Sequence, residues 1–137
     1  MQYEALLAHV KQTYGIEPDD PWQEGNACVL RHAQTGKWFA LLMRIDRSKL
    51  GLEGEGPVVV VNLKCAPQLI GSLRGQPGIH PAYHMNKDHW LTVRLDDSVP
   101  DETVKQLVAH SYGMTAPKPT RRKPGPSAVP RPEDWQW

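Results

Sequence analysis

A chain of 137 residues, 39% hydrophobic and 23% charged, has room for one domain with a modest core plus a tail. Its formal net charge of +1 is uneven: residues 1–114 hold 11 Lys+Arg against 13 Asp+Glu, and the remainder holds 5 against 2. The body therefore lacks the bulk basic footprint of a duplex-DNA reader. No apolar run reaches a membrane span, and the opening MQYEALLAHVKQTYG is a patterned helix rather than a signal peptide, so a cytoplasmic protein without a membrane partner is expected.

Tyr3, Leu6, Leu7, Val10 and Tyr14 recur at helical spacing, with Gly15 placed to end that helix. Residues 17–25, with Pro18 and Pro21, read as a loop in which Trp22 caps the core edge. Residues 27–32 and 37–44 read as two strands of a hairpin whose turn uses Gly36. The Gly-rich polar stretch 46–57 reads as a mobile loop. Residues 58–65, VVVVNLKC, carry the strongest strand signal. Pro67 opens a short helix with Leu69, Ile70 and Leu73 on its buried side and Gly75 as its stop. Residues 79–85, interrupted by Pro81, suit a sheet edge, and 89–95 alternate as a strand. A capping box beginning at Ser98 opens the last helix, whose stripe is Val104, Leu107, Val108 and Tyr112, with Gly113 ending it.

Helix, three strands, helix, two strands, helix predicts an α+β fold: a two-layer sandwich with a mainly antiparallel sheet and its helices on one face. Cys28 and Cys65 lie in apolar runs with no CxxC spacing, as buried reduced thiols do. Residues 1–114 form the domain. Residues 115–137 are proline-rich and basic, with Arg121, Arg122 and Lys123 and a closing Trp135 and Trp137; that composition predicts an extended or disordered tail.

The phrases KWFALL (37–42), VNLKCAP (61–67), GIHPAYHMNKDHW (78–90) and SY (111–112) stand in the order of one known pattern. Over residues 3–114 the chain resembles the MmcQ/YjbR family. The resemblance implies a compact helix–three strands–helix–two strands–helix plan, likened to secretion chaperones and to the CyaY-like fold. It also implies a DNA-binding label, and it says nothing of the tail.

His80, His84 and His89 invite a metal reading, but their spacings across Pro81 do not place all three on one helix or strand face, so no metal and no cofactor is expected. No nucleophile motif, P-loop or dinucleotide fingerprint occurs, which points away from an enzyme. Counting faces is more informative. If Val59, Val61, Leu63 and Cys65 face the helices, then Val58, Val60, Asn62 and Lys64 face away, as do Trp90, Thr92 and Arg94 opposite Leu91, Val93 and Leu95. With Phe39, Leu41 and Met43 inward, Trp38, Leu42 and Arg44 join them, and so does Arg31. An open face mixing tryptophans with cations suits single-stranded nucleic acid or an extended peptide. The candidate binding residues are Trp38, Lys64, His84, Lys87, His89, Trp90 and Arg94, with Arg121, Arg122 and Lys123 as phosphate contacts in the tail. The function expected is a small non-enzymatic nucleic-acid-binding protein; the alternative is a chaperone-like module binding a peptide on the same face. A monomer is the simplest expectation.

Overall fold

The computed structural model describes residues 1–20 and 27–116; Trp22, the basic triplet Arg121, Arg122 and Lys123, and the terminal tryptophans lie outside them. Helix α1 (Tyr3–Tyr14) buries Leu6 and Val10 and ends on Gly15 at φ 70°, a left-handed position that glycine adopts without a Cβ penalty. Strands β1 (Ala27–Arg31) and β2 (Trp38–Asp46) pair as a hairpin. Strand β3 (Pro57–Lys64) follows, then α2 (Pro67–Leu73), which starts on proline, where a missing N–H costs nothing. Strands β4 (Ile79–Pro81) and β5 (Trp90–Arg94) and helix α3 (Asp101–Thr115) complete the order. The five strands form one sheet, β1-β2-β3-β5-β4, with every pairing antiparallel. The α+β plan read from the sequence is the plan of the molecule.

All three helices lie on one face. Leu6 and Val10 of α1, Ile70 of α2, and Val104, Leu107 and Val108 of α3 share a cluster with Leu30, Leu42, Val61, Leu63, Leu91 and Val93. Burying each such side chain fully is worth about 1.5–3 kcal/mol, so this layer carries most of the fold. Ser111 fastens α3 to the sheet: its hydroxyl donates to the Phe39 carbonyl at 2.6 Å and accepts the Lys64 N–H at 2.9 Å. Tyr112 beside it stacks on Tyr14 at 4.2 Å and lies against His32 and Phe39.

The sequence-based assignment of β2 to the two faces is corrected here. Leu30 pairs with Ala40, whereas the next residue, Arg31, pairs with Trp38, so Phe39 is the extra residue of a β-bulge. Past the bulge the alternation runs with Ala40 and Leu42 toward the helices and Leu41 and Met43 away from them. Leu42, expected outside, is core, and Arg44 shares the helix side with its neighbour Val59. Phe39 still reaches the helix core, because the bulge re-aims it.

The second face is also buried, which overturns the expected open platform. Val29, Leu41, Met43, Val58, Val60, Ala82, Met85 and Trp90 form a second cluster, with Trp38, Leu50, Leu52 and Tyr83 packed against it. Two segments outside the α-helices cover it. Residues 46–57, expected as a mobile loop, contain a 3-10 turn (Arg47–Leu50) whose Asp46 carboxylate accepts the Ser48 N–H, and they bring Leu50 and Leu52 onto the sheet. Residues 82–89 bring Ala82, Tyr83 and Met85. The helix boundaries shift as well. The residue before α3 is Pro100, and Ser98 bonds back to Asp96 rather than capping the helix. Gly113 does not stop α3, which runs on to Thr115.

Both sheet edges are blunted. On the outer side of β1, Val29 exchanges both of its backbone bonds with Asp19 at 2.9 and 2.8 Å. At the other edge β4 is three residues long and ends in Pro81, which has no N–H to offer.

Candidate functional site

The residue pattern N62-L63-K64 facing H89-W90-L91-T92 builds the cover over the second face. Asn62 and Thr92 are neighbours across β3 and β5, both fully buried. The Asn62 amide donates to the Tyr83 carbonyl at 2.8 Å, the Tyr83 N–H donates to the Thr92 hydroxyl at 2.8 Å, and that hydroxyl donates to Asn62 Oδ1 at 2.6 Å. The closed triangle pins the 82–89 segment to the sheet. Next in the segment, His84 sits at φ 63° with its ring 4.0 Å from Tyr83, a backbone region costly for a side-chain-bearing residue. The Cys65 N–H then donates to the His89 carbonyl at 2.8 Å.

This architecture sorts the candidate residues into two groups. Lys64 pairs directly with Trp90 across β3 and β5, and the start of β2 brings Trp38 to the other flank of Lys64. Lys87 and His89 precede β5 at the same end of the sheet. Trp38, Lys64, Lys87, His89 and Trp90 thus gather at one end, with His84 on the cover beside them. Trp90, however, is only 2% exposed, so it is a core residue and not a stacking surface. Trp38 is half-buried and Lys87 exposed.

Arg94 belongs elsewhere. It stands four residues beyond Trp90 on β5, about 13 Å along the strand. There it donates to the Ser98 hydroxyl at 2.8 Å and lies 3.6 Å from the Asp96 carboxylate. His80 faces it, and burial, then the Arg94 charge, holds the His80 imidazole below its usual pKa. Among the described residues no three His, Cys, Asp or Glu side chains are grouped to hold a metal ion. The thiols of Cys28 and Cys65 are buried and their pKa values are pushed up by that burial, the reverse of what a reactive thiolate needs.

Charge is segregated along the strands. At the Trp38 end stand Lys37, Lys64 and Lys87, with Asp88 among them, while Arg31 is ion-paired to Asp19 and Lys11 to Glu17. At the opposite end the turns between strands and the entry to α3 carry Asp46, Glu53, Glu55, Asp96, Asp97, Asp101 and Glu102 together with Arg44, Arg47, Lys49 and Arg94, and the N-terminal ammonium is ion-paired to Asp97 and Asp101. The body therefore has a basic pole at the Trp38 end and mixed charge at the other. Sequence reasoning missed Lys37, although its place just before Trp38 at the start of β2 was a usable signal. Helix α3 ends at the basic pole, where Thr115 meets His32 at 2.8 Å, so the chain leaves for residues 117–137 from that pole.

A concavity lies at the end of the sheet opposite Trp38, on the helix side. It has a volume of about 580 Å³ and is lined by the first turn of α1, Pro18 and Asp20 and the strand ends bearing Arg44, Val59 and Leu95. Among the described residues no helix is long and apolar enough to cross a membrane.

The chain is similar in sequence and fold to several known proteins. A family model described as YjbR matches residues 11–114. The chain is 39% identical over 113 residues to the Bacillus subtilis protein YyaQ, covering 82% of this chain and 96% of that one. A stretch of 53 residues is 47% identical to Escherichia coli YjbR and covers 38% and 45% of the two chains. The crystal structure of a Pseudomonas syringae protein, 40% identical, matches with a TM-score of 0.83 over 85% of this chain and 100% of that one. A Deinococcus radiodurans protein, 25% identical, matches with a TM-score of 0.63 over 93% and 86%.

Proposed function

The chain belongs to the YjbR family, and from that premise we propose that it is a binding protein for single-stranded nucleic acid, engaged at the basic pole. The observation that carries the reading is the placement of Lys37, Lys64 and Lys87 around the half-buried Trp38, with the chain departing from the same pole toward Arg121, Arg122 and Lys123. Neighbouring strands are about 4.8 Å apart, so the three ammonium groups span a few phosphate spacings. Trp38, half-buried at this pole, adds an aromatic group beside the lysines. A flexible single strand fits an end-on patch of this size better than a duplex, which needs a longer basic track.

The alternative, a peptide laid on the sheet face, has less support. That face is closed by residues 46–57 and 82–89, and the blunted edges offer little for strand addition.

The test is fluorescence anisotropy of a labelled oligothymidine titrated with the full chain at several salt concentrations. Three phosphate contacts give a slope of log K against log salt of about −2, so raising salt from about 50 to 200 mM weakens binding roughly 20-fold. Lys37→Gln with Lys87→Gln lowers the slope toward about −0.7, and Trp38→Ala removes about 1–3 kcal/mol of stacking. Absence of binding, or binding indifferent to both salt and the lysine variants, overturns the proposal.

A further inference from the structure

The end of the sheet opposite the basic pole holds a cavity that the basic-pole reading does not use. Its floor is the last row of the sheet on the helix side, where Arg44 pairs with Val59 and the Leu95 N–H donates to the Val59 carbonyl at 2.9 Å. Elsewhere on β3 the residues facing the helices, Val61 and Leu63, are covered, but Val59 is left half-exposed. Helix α1 begins only at Tyr3 and passes to one side, so its first turn makes a wall instead of a roof. The volume of about 580 Å³ falls within the range of pockets that hold small organic ligands.

The polar groups converge at one wall. The Tyr3 hydroxyl lies 3.7 Å from the Cys28 sulfur. Burial, the contact with Cys28 and then the negative charges of Glu4 and Asp20 push the Tyr3 pKa up to about 12. The hydroxyl and thiol are therefore neutral near pH 7, and Glu4 and Asp20 line the same cavity. Arg44, exposed at the far side of the floor, is the single cation of the lining among the described residues.

We propose that this cavity binds a small organic cation: a protonated amine directed to Glu4, Asp20 and the Tyr3 hydroxyl, with an apolar body resting on Leu42, Val59 and Leu95. A lining that holds a neutral hydroxyl and two carboxylates accepts an ammonium group and disfavours a carboxylate. The apolar floor gains from covering Val59. The site is independent of the basic pole, since none of its residues belongs to that patch.

The test uses three probes sharing one ring, phenethylamine, phenylalanine and 3-phenylpropionate, titrated into the isotope-labelled full chain with amide NMR shifts as the readout. Phenethylamine is expected to move the Tyr3, Cys28 and Val59 amides saturably, and to bind at least tenfold more tightly than 3-phenylpropionate. Glu4→Gln should weaken the amine at least threefold, and Arg44→Gln should leave it unchanged or tighter. Val59→Phe, which fills the floor, should abolish binding while the spectrum stays dispersed. Should Val59→Phe unfold the chain, the surface variant Glu4→Gln decides alone. Equal binding of amine and carboxylate, no movement of these amides, or indifference to Glu4→Gln overturns the proposal.

Discussion

Replacing Asn62 with leucine removes two hydrogen bonds from a fully buried position. The variant leaves the Thr92 hydroxyl, itself fully buried, without its acceptor, and the Tyr83 carbonyl without its donor. Each stranded group costs about 1–3 kcal/mol, with Tyr83 at the low end because it is half-buried. A loss of about 3 kcal/mol follows, and with a urea slope of about 1.5 kcal/mol/M the midpoint falls by about 2 M. Thr92→Val strands Asn62 Oδ1 and the Tyr83 N–H and costs about the same. The double variant removes both ends of the 2.6 Å bond and so costs less than the two single losses together, by about 2 kcal/mol. The assay is urea unfolding of all four proteins, joined with hydrogen exchange at residues 82–89. Losses that add within about 0.5 kcal/mol, or a single variant costing below about 1 kcal/mol, would refute the view that this triangle holds the cover. Unchanged exchange at 82–89 would refute it as well.

Ser111→Ala strands the Phe39 carbonyl and the Lys64 N–H at once, and thermal unfolding should show a loss of about 2–4 kcal/mol. Two glycines should behave oppositely. Gly78 has φ 83° and an added Cβ would stand 2.6 Å from Val99 and 2.8 Å from Ser98, so Gly78→Ala should cost about 2–4 kcal/mol. Gly71 lies inside α2 with open space around it, and Gly71→Ala should gain about 0.5–1 kcal/mol; melting temperatures moving in the same direction would contradict one of the two. His32 is buried against Phe39 and Tyr112, and burial lowers its pKa from 6.5. The unfolded chain therefore takes up the proton first, and stability is lost as pH falls below about 6.5 toward the lower folded value. Urea midpoints between pH 8 and pH 5 should fall for the parent chain and fall less for His32→Gln, with His80 contributing in the same direction; equal slopes would remove His32 from the account.

The element order was legible because each helix carries a 3.6-residue stripe or a local punctuation mark, Gly15 and Pro67 among them. The faces of β3 and β5 were also legible, since Val61, Leu63, Leu91 and Val93 lie where alternation places them. Strand β2 was not. Its run WFALLMR is apolar on both faces, so period alone leaves its orientation open, and the bulge at Phe39 shifts the phase by one residue. The burial of the second face was hidden for a related reason. The cover comes from Leu50, Leu52, Tyr83 and Met85 in segments that look polar or irregular, and only the Asn62–Thr92–Tyr83 bonds reveal that they are fixed. Of the candidate residues, Trp38, Lys64, Lys87 and His89 lie toward one end of the sheet. Trp90 was drawn into the core, and Arg94 was separated because it sits at the other end of the same strand.

The two blunted edges bear on how this chain behaves at high concentration. With Val29 bound on both sides to Asp19 and β4 cut off at Pro81, a second copy finds little unpaired backbone from which to extend the sheet. Growth by strand templating, the common route from a folded β-protein to a fibril, is thereby obstructed before any unfolding takes place. Association of two copies is left to side-chain surfaces and not to shared backbone pairing.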